Sequence, residues 1–218
     1  LTLAPGASVH MLPNIAGYVG ADHVAMLLAT EMDRTEGVVL ALDIGTNTEI
    51  CLAHDGRLTT TSCASGPAFE GAHIKHGMRA AKGAIEYLRL SRLDGTYRIR
   101  YQTIGDASPV GLCGSGILDA LAEMRRMGVV DAGGRMQDVS GVRRTNGKPE
   151  FVLCEVPDER TITITQKDVR ELQLAKGAMR AGIQLLLETE GLTEDEVDEV
   201  IIAGAFGSYI DVSSAIAI

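Results

Sequence analysis

Two apolar runs in this chain each stop at a glycine turn, and that pairing constrains the fold more than any other feature. Val38 to Leu42 run into Asp43-Ile44-Gly45-Thr46-Asn47, and Val200 to Ala203 run into Gly204-Ala205-Phe206-Gly207. A short uninterrupted apolar run bounded by turn residues predicts a strand buried on both faces. After the first turn, Thr48 to Ala53 resume strand pairing, and His54-Asp55-Gly56-Arg57 turn the chain into a further strand. Gly45 lets the backbone pass close to an anion, which amides and the side chains of Thr46 and Asn47 would hold in place of a lysine. Gly204 and Gly207 leave room for a flat group against the backbone. Each turn alone also fits a plain β-turn or simple helix packing.

Other elements announce themselves locally. Thr165 followed by Asp168 forms a capping box, and Val169, Leu172, Ala175, Met179, Ile183, Leu186 and Leu187 recur at steps of three and four. They predict a helix over 166–190, ended by Gly191, and a second capping box at Thr193 and Glu196 leads into the strand at Val200. Ser65-Gly66-Pro67 breaks the early sheet and opens a predicted helix over 68–80. Strands over 85–90 and 97–104, joined at Asp94-Gly95, read as a hairpin insertion spanning about 84–110. A helix over 114–127 starts at Gly114-Ser115-Gly116, a start that suits an anion or tight packing against a neighbour. The Gly- and Arg-rich stretch 131–149 reads as an exposed loop.

Composition narrows the function classes. With 45% hydrophobic residues over 218 positions there is apolar material for one sizeable core. A formal net charge of −9 argues against a nucleic-acid binder, which needs clustered cations. No apolar run approaches the roughly 20 residues that span a bilayer, and no leader pattern opens the chain, so no membrane is expected and the cytoplasm is the expected compartment. Cys51, Cys63, Cys113 and Cys154 lack the clustered spacing of an iron–sulfur loop and read as small apolar residues. His73 and His76 share a metal-ligand spacing on a helix, but no third ligand stands nearby and a solvated face fits as well.

Four motifs in order, DIGTNTEI (43–50), SGPAFEGAHI (65–74), GLCGSGILDAL (111–121) and IIAGAFGSYID (201–211), resemble the reductive activators of corrinoid proteins, the RACo family. These belong to the ASKHA superfamily, with actin, the sugar kinases and the heat-shock chaperone ATPases. The resemblance implies an α/β fold: a ribonuclease-H-like, actin-like ATPase half-domain, with a mixed β-sheet flanked by helices and a small insertion. It divides the chain into a connecting segment and crossover helix over 1–36 and the half-domain over 37–218, truncated at both ends. With one phosphate turn where the superfamily uses two, half of the nucleotide cleft would be missing.

Site residues follow from the same resemblance. Gly45, Thr46 and Asn47 would hold the phosphates of ATP, and Asp43 would be the catalytic carboxylate, approaching Mg²⁺ through water. Glu70 and Gly71 would border the nucleotide, unless Glu70 merely complements a helix dipole. Gly204, Ala205, Phe206 and Gly207 would flank the adenosine. Lys167 and Arg170 on the long helix would meet base or ribose, or else form its wet face. The family's [2Fe-2S] cluster would lie in a separate amino-terminal domain, and the partner would be a corrinoid protein. The implied function is the ATP-binding part of an activator that returns cobalt(II) corrinoid to cobalt(I). A phosphoryl-transfer kinase and a nucleotide-gated binding module without chemistry are the alternatives, and exposed cleft surface leaves room for a homodimer.

Overall fold

In the computed structural model, which describes residues 4–156 and 160–218, the chain alternates short strands with three longer helices. The elements are α1 (Ala21–Ala29), β1 (Val39–Ile44), β2 (Thr48–His54), β3 (Arg57–Cys63), β4 (Ala84–Leu93), β5 (Thr96–Thr103) and β6 (Gly111–Leu112). They continue through α2 (Gly114–Arg126), β7 (Val142–Thr145), β8 (Lys148–Val156), β9 (Arg160–Thr165), α3 (Gln166–Glu190), β10 (Glu199–Ala203), α4 (Gly204–Gly207) and α5 (Val212–Ala217).

One four-stranded sheet has the order β10-β1-β2-β3. β1, β2 and β3 form an antiparallel meander, and β10 returns parallel to β1 after the long crossover through α3. The apolar run of β1 is buried on both faces because it alternates between two helices. Val39 and Ala41 pack with Met26 and Leu27 of α1. Val38, Leu40 and Leu42 pack with Leu186 and Leu187 of α3. Burying each of those leucines contributes about 1.5–3 kcal/mol. α3 spans the predicted range, with Thr165 and Asp168 in a reciprocal cap and Gly191 closing the last turn in the left-handed region.

The other two sheets, β5-β4-β6 and β7-β8-β9, enclose the largest core with α2. The 94–95 hairpin forms as expected, and its first strand belongs to the core: Ile85, Leu88 and Leu90 of β4 are core residues beside Ile117, Leu121 and Met124 of α2. The expected loop over 131–149 is largely exposed, yet its second half is regular, since Val142–Thr145 pair with Lys148–Phe151.

The predicted helix over 68–80 does not form. Pro67–Glu70 make one 3-10 turn, which Gly71 ends at φ 85°. Beyond it Met78 N donates to Leu112 O at 2.8 Å and Leu112 N to His76 O at 2.8 Å, so this stretch serves as an irregular edge beside β6. Gly71 and Gly77 allow this because their backbones lie in direct contact, with no room for a Cβ on either. His73 and His76 therefore share no helical face. His73 Nδ1 stands 3.8 Å from Glu171 of α3.

Candidate functional site

Parallel pairing of β1 with β10 aligns Asp43 with Ala203, which sets the two glycine turns side by side. Asp43 is half-buried at its strand end, and among the described residues its carboxylate has neither a hydrogen bond nor an ion pair. Gly204 packs directly on it: φ is 76°, and a Cβ there would overlap Asp43 Oδ1.

The first turn is strapped to the segment 65–70. Ser65 Oγ donates to Gly45 O at 3.0 Å and lies 2.7 Å from Thr48 Oγ1, while Gly66 N donates to Thr46 O at 2.8 Å. Thr46 Oγ1 donates to Glu70 Oε1 at 2.6 Å. Asn47 is exposed beside them. The turn thus presents hydroxyl, amide and carboxylate groups to solvent on a backbone fixed from below.

Next to this turn opens a cleft of about 950 Å³. Phe69 and Glu70, Gly114 and Ser115, and Ala205 and Phe206 are among the residues that line it, so each of the three later motifs contributes. The rings of Phe69 and Phe206 stand 5.2 Å apart at 44°. Gly114 is required at this junction, because a Cβ would overlap Phe69 O and come 2.7 Å from Phe206 Cε2. Tyr87 and Tyr209 add exposed aromatic surface and Arg79 adds a cation.

The structure therefore brings Asp43, Gly45, Thr46, Asn47, Glu70, Gly204, Ala205 and Phe206 into one neighbourhood. It leaves out four expected residues. Gly71 is buried against the Met78 backbone, and Gly207 lies tight against Ile202 O. Lys167 and Arg170 are exposed on the first turns of α3 and do not line the cleft. Phe69, Ser115 and Tyr209 lie within recognisable motifs and could have been chosen from them. Tyr87 carried only the weak signal of an outward position on an alternating strand.

Arg89 lies 4.3 Å over the Tyr87 ring and pairs with Asp119 at 2.9 Å and Asp211 at 2.8 Å, tying β4 to α2 and to the cap of α5. Although burial opposes its charge, the carboxylate of Asp119 holds its pKa above the ordinary value. Burial pushes the Cys51 thiol up to about 12, which leaves it protonated and unreactive in the core beneath α1. Among the described residues no three His, Cys, Asp or Glu side chains are placed to ligate a metal directly.

An antiparallel meander with a parallel strand added across β1, and glycine turns at its edge, defines an actin-like domain of the ASKHA class. Comparison with known proteins narrows the class. The model of the C-terminal ASKHA domain of RACo matches residues 37–218, that of the RACo middle region matches residues 1–35, and the chain belongs to this family. It is 39% identical to the corrinoid activation enzyme RamQ of Eubacterium limosum, over 99% of this chain and 37% of that protein. It is 31% identical to the [Co(II) methylated amine-specific corrinoid protein] reductase of Methanosarcina barkeri, over 93% of this chain and 38% of that one. A solved reductive activator for corrinoid, iron-sulfur protein superposes with a TM-score of 0.84 at 41% identity, over 94% of this chain and 33% of its own length. The chain thus spans little more than a third of the relatives it matches.

Proposed function

We propose that this chain is the nucleotide-binding part of a reductive activator of a corrinoid protein, using ATP to drive reduction of cobalt(II) to cobalt(I). One observation carries the reading: three motifs lying between residues 65 and 211 line a single cleft with aromatic walls, and the phosphate-type turn after β1 adjoins that cleft through the Thr46–Glu70 hydrogen bond. A purine needs apolar planes with a few polar groups, and a polyphosphate needs amides and hydroxyls on a rigid turn. Both are present here, in adjoining places.

The residues fit Mg·ATP. Thr46, Asn47 and the backbone at Gly45 would hold phosphate, the unpaired carboxylate of Asp43 would hold the magnesium waters, and Ala205, Phe206 and Phe69 would receive the adenosine. Bound Mg²⁺ would supply charge neutralisation for the phosphates. Thr46 Oγ1 donates to Glu70, so a phosphate taking up that hydroxyl would compete with the Glu70 carboxylate and couple the site to the 67–70 turn. The names of its relatives point to a corrinoid protein as the target, and on this reading an iron–sulfur cluster of the activator would lie outside residues 1–218.

Ala205→Phe tests the reading, because Ala205 is exposed and a larger ring there fills the cleft without entering the core. In the full-length protein the variant should fold normally, lose binding of a fluorescent ADP analogue, and lose the ATP dependence of cobalt(I) formation on the corrinoid protein. Undiminished nucleotide binding by a folded variant would place the nucleotide elsewhere.

A further inference from the structure

The β4–β5 hairpin buries one face and leaves the other open. Leu88 and Leu90 of β4 lie in the main core, and Tyr97 and Ile99 of β5 pack against it. Alternation along the strands turns the residues between them outward, where the antiparallel register sets Tyr87 opposite Gln102, Arg89 opposite Arg100 and Ser91 opposite Arg98. All six are exposed except Arg89, which is half-buried where Asp119 and Asp211 reach it.

The charge of this face runs against that of the molecule. The chain carries 29 acidic residues against 20 lysines and arginines, yet neither 87–93 nor 96–102 contains an aspartate or a glutamate. Arg89 and Arg100 stand directly opposite each other, a like-charge pairing that destabilises an antiparallel ladder. Asp119 and Asp211 neutralise Arg89, but among the described residues the side chains of Arg98 and Arg100 have neither an ion pair nor a hydrogen bond. Two free guanidinium groups and an aromatic ring therefore share one open sheet face.

Such a face suits a protein carrying carboxylates. Interface centres are enriched in arginine and tyrosine and depleted in lysine, glutamate and aspartate, and a guanidinium fork takes a carboxylate through two parallel hydrogen bonds. Two unpaired arginines are too few for a nucleic-acid backbone, whose affinity is built from many phosphate contacts, and the net charge of −9 opposes a polyanion. The face also continues into the cleft, since Tyr87 and Gln102 belong to the lining of both. A protein seated on the hairpin thus reaches the rim of the proposed nucleotide site.

We infer that the outward face of β4 and β5 docks an acidic patch of the corrinoid protein, with Arg98 and Arg100 pairing its carboxylates and Tyr87 packing beside them. The identity of the partner rests on the proposed function; the acidic character of its patch rests on the hairpin alone.

The test is the double variant Arg98→Glu/Arg100→Glu in the full-length protein, with the corrinoid protein whose cobalt(II) it reduces as the probe. Both positions are exposed, and a glutamate opposite Arg89 replaces a like-charge pair by an opposite one, so the melting temperature should hold or rise. Binding of the cobalt(II) corrinoid protein, read by interferometry, should weaken at least about tenfold through the like charges now facing each other, while a fluorescent ADP analogue binds as it does to the parent. Added salt should weaken the parental complex more steeply than the variant's. Parental corrinoid-protein affinity in the folded variant overturns the docking face and leaves the nucleotide reading standing. Loss of ADP binding together with the corrinoid protein also overturns it, since the arginines would then serve the cleft. Altered self-association with corrinoid-protein affinity intact assigns the face to a second copy of the chain and rejects the proposal. Should the double variant fail to fold, Arg98→Ala/Arg100→Ala carries the same test, with weaker binding expected and parental binding fatal. If the parent binds no ADP while its corrinoid complex still depends on these arginines, the nucleotide reading falls and the docking face stands.

Discussion

The turns that follow β1 and β10 lie side by side and read alike in sequence, yet their glycines do different work. Gly45 is tight without being closed: an added Cβ would stand 3.2 Å from Asn47 O, which would have to give by a few tenths of an ångström, and no left-handed backbone is involved. What matters in that turn is its side chains: the unpaired carboxylate of Asp43 and the hydroxyl of Thr46. Gly204 and Gly207 have no room at all, one pressed on Asp43 and the other on the carbonyl of Ile202. The second turn is therefore a spacer that lets α4 start against the carboxylate, and the groups it offers to the cleft are the neighbours Ala205 and Phe206. A glycine can mark a ligand or a close approach of two protein segments, and only the occupied space around it tells which.

Four substitutions sharpen that contrast. Gly204→Val should have the largest effect on the fold, through the left-handed backbone and the overlap with Asp43 together, a loss of at least about 3 kcal/mol measurable by denaturant unfolding. Parental stability there would mean the turn can relax and Gly204 is no spacer. Asp43→Asn should leave unfolding within about 0.5 kcal/mol of the parent. It should reduce Mg²⁺-dependent ATP turnover by about two orders of magnitude, the scale of losing one well-placed charged group; normal turnover would remove Asp43 from the site. Phe206→Ala deletes the ring paired with Phe69 and should weaken ADP binding by about tenfold, or about 1.4 kcal/mol, in a calorimetric titration. Equal affinity would reassign the aromatic wall to packing. Gly45→Ala should be the mildest, under about 1 kcal/mol in stability with modest loss of nucleotide affinity. A collapse as severe as that of Gly204→Val would erase the distinction between the two turns.

Legibility followed the range of the interactions. α3 was readable to its ends because a capping box and an αL glycine are decisions made within a few residues. β1 was readable because a strand between two helices must be apolar throughout. The segment 68–80 was misread for the opposite reason. Its composition permits a helix, but Met78 and His76 instead satisfy the backbone of Leu112, about 35 residues away, a partner that local propensity cannot foresee. Lys167 and Arg170 were chosen because the resemblance placed α3 along the nucleotide; both are exposed and neither lines the cleft.

The sequence by itself determined the family, the strand–turn order and the residue types at the phosphate turn, because these reside in contiguous motifs. Tertiary structure decided which of those residues meet. It placed Ala203 beside Asp43, closed Phe206 onto Phe69 across Gly114, and buried His23 near the carboxylates of Asp43 on β1 and Asp22 on its own helix. Such meetings depend on register and crossover between segments up to 160 residues apart, as at Val38 and Asp198, and local chain chemistry carries no record of them.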